Sequence, residues 1–398
     1  VADANDILSP RRLRLLSSTQ LVYVGGRVCQ IDGNELELAD AFASVWVELS
    51  HPPSPAEVGL DEWVVVKGHF DLEKLRQASV QQRFAGRLSA DSDSRRLIDI
   101  GRAIEANARA QRHCRRFFDA RGYLEVTTPV RVEAPGTDVY IEPHACERGW
   151  LITSPEFHMK RLLAGGCDRI YQLARCTRDG EHGPWHQPEF TLLEWYEAFC
   201  DVEHMMATTE QLVRSLAQEL QRGPTMRSGV DLALPFERLS VADAFEQYAG
   251  VADVSQLAAT DEDRYFQLMV DRIEPALSER PHAVFLCDYP SSQAALARKK
   301  PTDPRYAERF ELFVAGVELC NGYGELTEAD EQRERFTLDV ERRRERGARD
   351  LPIDESLLAA LADGLPPCSG NALGLERLLA LLLGSTLEDT VAFPRTSS

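Results

Sequence analysis

The 398-residue sequence predicts an α+β protein in two parts, a small β module over residues 1–85 and a larger mixed region over residues 86–398. Three features carry this reading. Between Leu21 and about Phe70, short apolar runs alternate with Gly, Asn and Pro, the punctuation of a small sheet or barrel. From Ile170 to Tyr196 a strand, a polar loop and a second strand follow in turn. From Val202 to Leu220, apolar residues recur at the helical period.

In chain order, residues 1–18 read as a loose arm. LVYVGGRVCQ, a turn at Asp32-Gly33-Asn34, ELELAD, ASVWVEL and WVVVKGHF then give the strands of an OB-like module. An OB groove that tracks phosphates needs basic residues. Between Leu21 and Lys74 there are ten acidic residues against three basic ones (Arg27, Lys67, Lys74). The module is therefore expected to be structural or to contact protein. Glu73–Ser94, polar and poor in breakers, is expected to be a helical connector.

The second part opens near Arg95, with a helix from Ile98 to Ala120 stopped by Gly122 and a strand YLEVTTPV closed by Pro129. In the Ile170–Tyr196 stretch the first strand ends at Arg178, and the loop holds Asp179, Gly180, Glu181, His182, Gly183 and Pro184. Alternation along the second strand puts Phe190, Leu192, Glu194 and Tyr196 on one face. A carboxylate on a core-like face needs a cation or hydrogen-bond donors, so Glu194 awaits Arg178, another basic residue or a cationic substrate. Asp201 caps the following helix, whose Val202, Met205, Met206, Thr209, Leu212, Val213, Leu216 and Leu220 form a core stripe. The Glu/Arg-rich helix after Thr327 reads as a solvated, ion-paired surface helix.

ELFV and VELC flank Ala315-Gly316, a two-residue hairpin turn. In that register Val314 faces Val317, Phe313 faces Glu318 and Glu311 faces Cys320. Glu311 and Glu318 then share a face as diagonal neighbours, roughly 7–8 Å apart at the backbone. Two converging carboxylates suit a hard divalent cation, Mg²⁺ carrying a phosphate. In PPCSGNALGLERLLALLLG, small residues lead into an apolar helix with one cation, Arg377, suited to an ion pair or to a polyphosphate.

The totals narrow the function classes. Asp and Glu number 64 against 45 Lys and Arg, a net charge of −19, which disfavours non-specific binding to nucleic acid or anionic lipid. Nine scattered cysteines without a C-x-x-C pair point to reduced thiols in a cytoplasm. No apolar run reaches membrane-spanning length.

Over about residues 95–398 the sequence resembles the class II aminoacyl-tRNA synthetases of the lysine branch. GYLEVTTPV with Pro129 resembles their motif 1, Arg178 through Tyr196 their motif 2, and GNALGLERL with Arg377 their motif 3. The resemblance implies a catalytic domain of antiparallel sheet flanked by helices, and a homodimer through the Pro129 region. TSPEFHMKRLLAGG, YPSSQAALA, ELCNGYGELTEA, PPCSG and Ala372 are more similar to the branch that attaches (R)-β-lysine to a lysine of elongation factor P. Where Ala372 stands, lysyl-tRNA synthetases carry glycine. The roles implied are position by position. Ser154, Pro155 and Glu156 would hold the substrate amino group, and Glu194, Tyr196 and Glu325 the distal ammonium of lysine or β-lysine. Arg178 would bind the α-phosphate and substrate carboxylate. ATP would be met by Arg178, Asp179, Gly180, Glu181, His186, Gln187, Glu318, Leu319, Asn321, Gly374 and Arg377. Glu311 and Glu318 would hold Mg²⁺, with Arg178 and Arg377 as the catalytic arginines.

This sequence departs from the family in four places. The family's Arg-Asn-Glu-Glu is Arg178-Asp179-Gly180-Glu181, so the adenine-reading glutamate is missing or shifted to Glu181. The usual loop arginine is replaced near Pro184, and the usual His-Asn is His186-Gln187. The amino-terminal β module is not typical of the protein-modifying branch. Ligation of lysine or β-lysine to elongation factor P is the leading expectation, with lysine–tRNA ligation second and a non-catalytic amino-acid or nucleotide sensor third.

Overall fold

In the computed structural model, residues 7–86, 88–89, 93–220 and 229–394 are described. The chain divides into two compact units, residues 1–105 and 106–398.

In the first unit, β1 (Ile7–Leu8) runs parallel to β2 (Gln20–Asp32). Strands β2, β3 (Glu35–Ala39), β4 (Ser44–Leu49), β5 (Trp63–Phe70) and β6 (Leu75–Phe84) pair in the order β2-β3-β4-β6-β5, and β5 returns to β2. That closes a five-stranded barrel, with β4–β6 parallel and the other pairs antiparallel, the connectivity of an OB fold. Val24, Val28, Leu36, Leu38, Val47, Val66 and Leu75 fill it. Three expectations are corrected. Residues 7–13 of the arm are ordered, with Ser9 capping a short helix, Pro10–Leu13, that buries Leu13. The connector contains β6 instead of a helix: Leu75 and Ala78 face the barrel, and without this strand the edges of β4 and β5 would lack partners. Gly68 gives Ala78 the room, since a Cβ there would lie 2.9 Å from the Ala78 methyl. The helix expected from Ile98 is two helices, Asp93–Asp99 and Gly101–Asp119.

The second unit is built on an eight-stranded sheet. Its strands are β7 (Leu124–Glu125), β11 (Arg169–Thr177), β12 (Glu189–Ala198), β13 (Glu237–Ser240), β14 (Val284–Pro290), β15 (Tyr306–Val314), β16 (Val317–Gly324) and β17 (Cys368–Gly374). Between β7 and β11 a small sheet is formed by β8 (Arg131–Val132), β9 (Ala145–Cys146) and β10 (Gly149–Leu151). The large sheet has the order β13-β14-β15-β16-β17-β12-β11-β7. Its centre, from β14 to β11, is antiparallel, and both edge pairs are parallel. Of YLEVTTPV only Leu124–Glu125 is strand, because β11 offers an edge to those two residues alone.

The alternation read in β12 sorts the two faces. Leu193 and Trp195 join Phe118, Met205, Met206, Leu212, Phe285 and Leu378 in the main core under the helices. Leu192, Glu194 and Tyr196 turn to the opposite face. The helix Val202–Leu220 buries the expected stripe. The helix Ala329–Glu345 carries surface ion pairs as expected, Arg333–Glu355 and Arg335–Glu331. It also departs from a solvated reading, because Arg343 is fully buried and donates to the carbonyls of Asp138, Ile141 and Arg349 and to Glu142.

The β15–β16 hairpin turns at Ala315-Gly316, both left-handed (φ 51° and 76°), as a two-residue turn of this kind requires. Val314 faces Val317 and Phe313 faces Glu318, as expected. Beyond them a bulge shifts the register, so Leu312 faces Cys320 and Glu311 faces Asn321, not Cys320. The extra residue is Leu319, which the bulge places in the main core.

Candidate active site

The uncovered face of the sheet floors a cavity of about 490 Å³. One end is rich in buried carboxylates. Glu194 is fully buried in the middle of β12. The Ser154 hydroxyl donates to its Oε1 at 2.7 Å and the Tyr196 hydroxyl to its Oε2 at 3.0 Å. Ser154 also accepts the Glu156 backbone N–H at 3.0 Å, which fixes the start of the helix Glu156–Ala164. One turn on, Lys160 contacts Glu156 at 2.6 Å and Glu325 at 2.6 Å. Burial would lower the Lys160 pKa, but the two carboxylates outweigh it and keep the ammonium charged. Glu194 has no such partner: Arg178 pairs with Glu181 at 3.5 Å, and Lys160 is taken. Burial, with Glu156 adding to it, pushes Glu194 up to about 8. A carboxylate so placed gains by meeting a cation.

The other end carries two arginines and a histidine. Arg178, at the end of β11, lies with its guanidinium 5.1 Å from the centre of the Phe190 ring, and its Nε has no partner. Arg377, in the first turn of the helix Leu375–Leu383, donates Nε to the Trp185 carbonyl at 2.9 Å and Nη1 to the Glu318 carbonyl at 3.0 Å. Burial and then Arg377 hold His186 below its ordinary pKa, so the imidazole is neutral. Between the two ends lies Glu311, which accepts from Tyr289 at 2.6 Å and from Arg309 at 2.7 Å. Burial, then the neighbouring Glu318, raises its pKa. Among the described residues no group of three or more His, Cys, Asp or Glu is placed to hold a metal. Two carboxylates that repel each other fit Mg²⁺ in the mode where phosphates and water supply the other ligands.

The residues expected from the sequence divide into lining and support. Ser154, Glu156, Arg178, Glu181, His186, Gln187, Glu194, Glu311, Glu318, Leu319, Asn321, Gly374 and Arg377 line the same cavity, although they come from four separate stretches of chain. Pro155, Asp179, Gly180, Tyr196 and Glu325 do not line it. Tyr196 and Glu325 stand directly behind, packed on Gly370, where a Cβ would lie 2.2 Å from the Tyr196 ring and 2.6 Å from Glu325 Oε1. Ala372 is on the floor, paired with Glu194 on one side and Asn321 on the other. Sequence reasoning missed Lys160, Arg309 and Asp339. Lys160 stands four residues after Glu156 and Arg309 two before Glu311, so helix and strand periodicity could have found them. Asp339, raised to about 6 by burial and Asp138, reaches the cavity wall from a helix with no local sign of it.

A buried acidic end and an arginine-bearing end on one largely antiparallel sheet are features of a class II synthetase-type ligase. The comparison with known families agrees: residues 94–397 match the class II tRNA synthetases (D, K and N), and the chain belongs to that family. It is 41% identical over 297 residues to the elongation factor P–(R)-β-lysine ligase of Proteus mirabilis, covering 70% of this chain and 91% of that protein. It is 40% identical over 310 residues to the ligase of the same name from Salmonella dublin, covering 70% of this chain and 90% of that protein. No helix among the described residues is long and apolar enough to cross a membrane, and all nine cysteines are free.

Proposed function

We propose that this chain activates lysine or (R)-β-lysine as an aminoacyl-adenylate and transfers it to a lysine side chain of elongation factor P. The observation that carries the reading is Glu194, a fully buried carboxylate on the cavity floor, hydrogen-bonded by Ser154 and Tyr196 and left without a cation. A neutral amino acid would leave it uncompensated, whereas the distal ammonium of a diamino acid completes it. Names of the relatives point to the same substrate and acceptor.

In this reading the substrate carboxylate attacks the α-phosphorus of ATP and pyrophosphate leaves. Arg178 and Arg377 face the charge that develops, from positions fixed by the strand end and the helix start. Mg²⁺ held by Glu311 and Glu318 would neutralise the phosphate oxygens. The neutral acceptor amine then attacks the adenylate carbonyl and AMP departs. Glu181, which lines the cavity while Asp179 and Gly180 do not, takes the place of the missing adenine-reading glutamate. The exposed Leu124 and Val130, either side of Pro129, suit a homodimer contact, and a cytoplasmic setting suits nine free thiols.

The barrel's OB connectivity favours one other reading, lysine–tRNA ligation, against which its acidic balance counts. Pyrophosphate exchange with lysine and β-lysine, followed by transfer assays with elongation factor P and with tRNA, separates the two. Labelled elongation factor P and uncharged tRNA are expected; charged tRNA would overturn the proposal. Arg178→Ala should lower exchange by about 10²–10³-fold, and full exchange in that variant would remove Arg178 from its role.

A further inference from the structure

At the arginine-bearing end of the cavity, β17 stops one residue short of covering β12. Its last residue, Gly374, pairs with Leu192, and the chain turns at once into the helix Leu375–Leu383. The next residue along β12, Thr191, is buried, and its backbone N–H has no strand partner on that side. Glu376 Oε2 accepts this N–H at 2.9 Å, so a side chain carries the ladder one hydrogen bond past the end of the strand. Its Oε1 accepts from Arg175 Nη1 at 3.3 Å. Arg175 is held in turn by the Thr191 hydroxyl at 2.9 Å and by Glu189 at 2.7 Å. Glu376 is therefore buried with both oxygens engaged inside the protein. Gly374, at the N-cap, has no side chain with which to anchor the helix start.

Resting on the reading of Arg377 as a phosphate-facing residue, we infer that Glu376 is a positioning residue for ATP. By taking the Thr191 N–H it pins the first turn of the helix to β12, and with that turn the root of Arg377, the next residue. The carbonyls of Trp185 and Glu318 then aim the Arg377 guanidinium from a fixed base. Without an acceptor at position 376 the Thr191 N–H becomes a buried orphan. Water must enter between strand and helix to satisfy it, and the helix start moves away. A group displaced by about 1 Å from its working position loses most of its effect. Glu194 is spared, because β12 stays paired with β11 along its length and with β17 from Leu192 onward. The loss therefore falls on ATP and not on the amino acid.

The test uses the full chain and reads Mg·ATP in two ways: its binding by calorimetry with no amino acid present, and its KM in pyrophosphate exchange at saturating lysine. The KM for lysine is measured beside them. E376M fills the same space but cannot accept a hydrogen bond. It should weaken both ATP values by about tenfold or more and leave the KM for lysine within about threefold. E376Q keeps an oxygen for the Thr191 N–H and should recover most of that loss, since Arg175 retains Glu189 and the Thr191 hydroxyl. If E376M does not fold, E376Q is compared with the wild type alone, and an ATP affinity within about threefold is expected. The inference is overturned if E376M binds ATP as the wild type does, if its KM for lysine rises in step with that for ATP, or if E376Q is weaker than the wild type by about tenfold or more. A wild type that exchanges with no diamino acid would remove the proposed substrate, and ATP binding by calorimetry would still decide the inference.

Discussion

Replacing Glu194 by Gln should stabilise the folded chain while removing its affinity for lysine. In the free protein the Glu194 carboxyl is raised from 4.5 to about 8 by burial and then by Glu156, against the pull of the Ser154 and Tyr196 hydroxyls. The folded state therefore binds this proton more tightly than the unfolded chain, and wild-type stability falls as pH rises from about 4.5 to about 8. That gap corresponds to about 5 kcal/mol in full, of which about 3 kcal/mol is expressed at pH 7. Gln keeps the shape without the charge: its Oε1 accepts one of the two hydroxyls, and its Nε2 donates to the oxygen of the other, which rotates to suit. Urea unfolding of both proteins at pH 5, 7 and 9 measures the difference, which should be under about 1 kcal/mol at pH 5 and grow with pH. Calorimetry gives an independent check, since lysine should displace close to one proton from the wild type at pH 7 and give no binding heat with E194Q. Parallel stability profiles for the two proteins from pH 5 to 9 would refute the claim that Glu194 is a buried, uncompensated carboxyl.

Gly370→Ala would drive a methyl into the Tyr196 ring and Glu325, and should cost about 3 kcal/mol, read as a lower urea midpoint with an unchanged slope. Arg343→Ala leaves the carbonyls of Asp138, Ile141 and Arg349 without their donor; thermal unfolding should show a loss of about 3–5 kcal/mol, with a raised KM because residues 135–141 form a wall of the cavity. Ala372→Gly removes the methyl between Glu194 and Asn321 and should shift the ratio of kcat/KM toward lysine over β-lysine by roughly tenfold, the lower end of what one methyl in a pocket is worth. An unchanged ratio would take Ala372 out of substrate choice.

What the sequence determined by itself was local and periodic. Alternation along β12 put Glu194 and Tyr196 on the face opposite Trp195, because side chains on a strand must alternate. The Val202–Leu220 stripe and the Ala315-Gly316 turn were legible for the same reason, each being a short-range constraint on the backbone. The order of its motifs was enough to mark the chain as a class II ligase. Tertiary structure decided what depended on partners distant in sequence. The polar run Leu75–Phe84 became a strand because two barrel edges needed one, a requirement that outweighs its local propensity. A single extra residue, Leu319, moved Glu311 from Cys320 to Asn321, and no pattern in the hairpin marks where a strand will bulge. Lys160 went unread in the sequence and Arg343 belongs to a helix read as solvated, yet both are buried, because only the folded chain brings Glu325 to one and the carbonyls of Asp138 and Ile141 to the other. A charge is stable inside a protein only where its partners converge, and residues up to 205 positions apart converge here through folding alone.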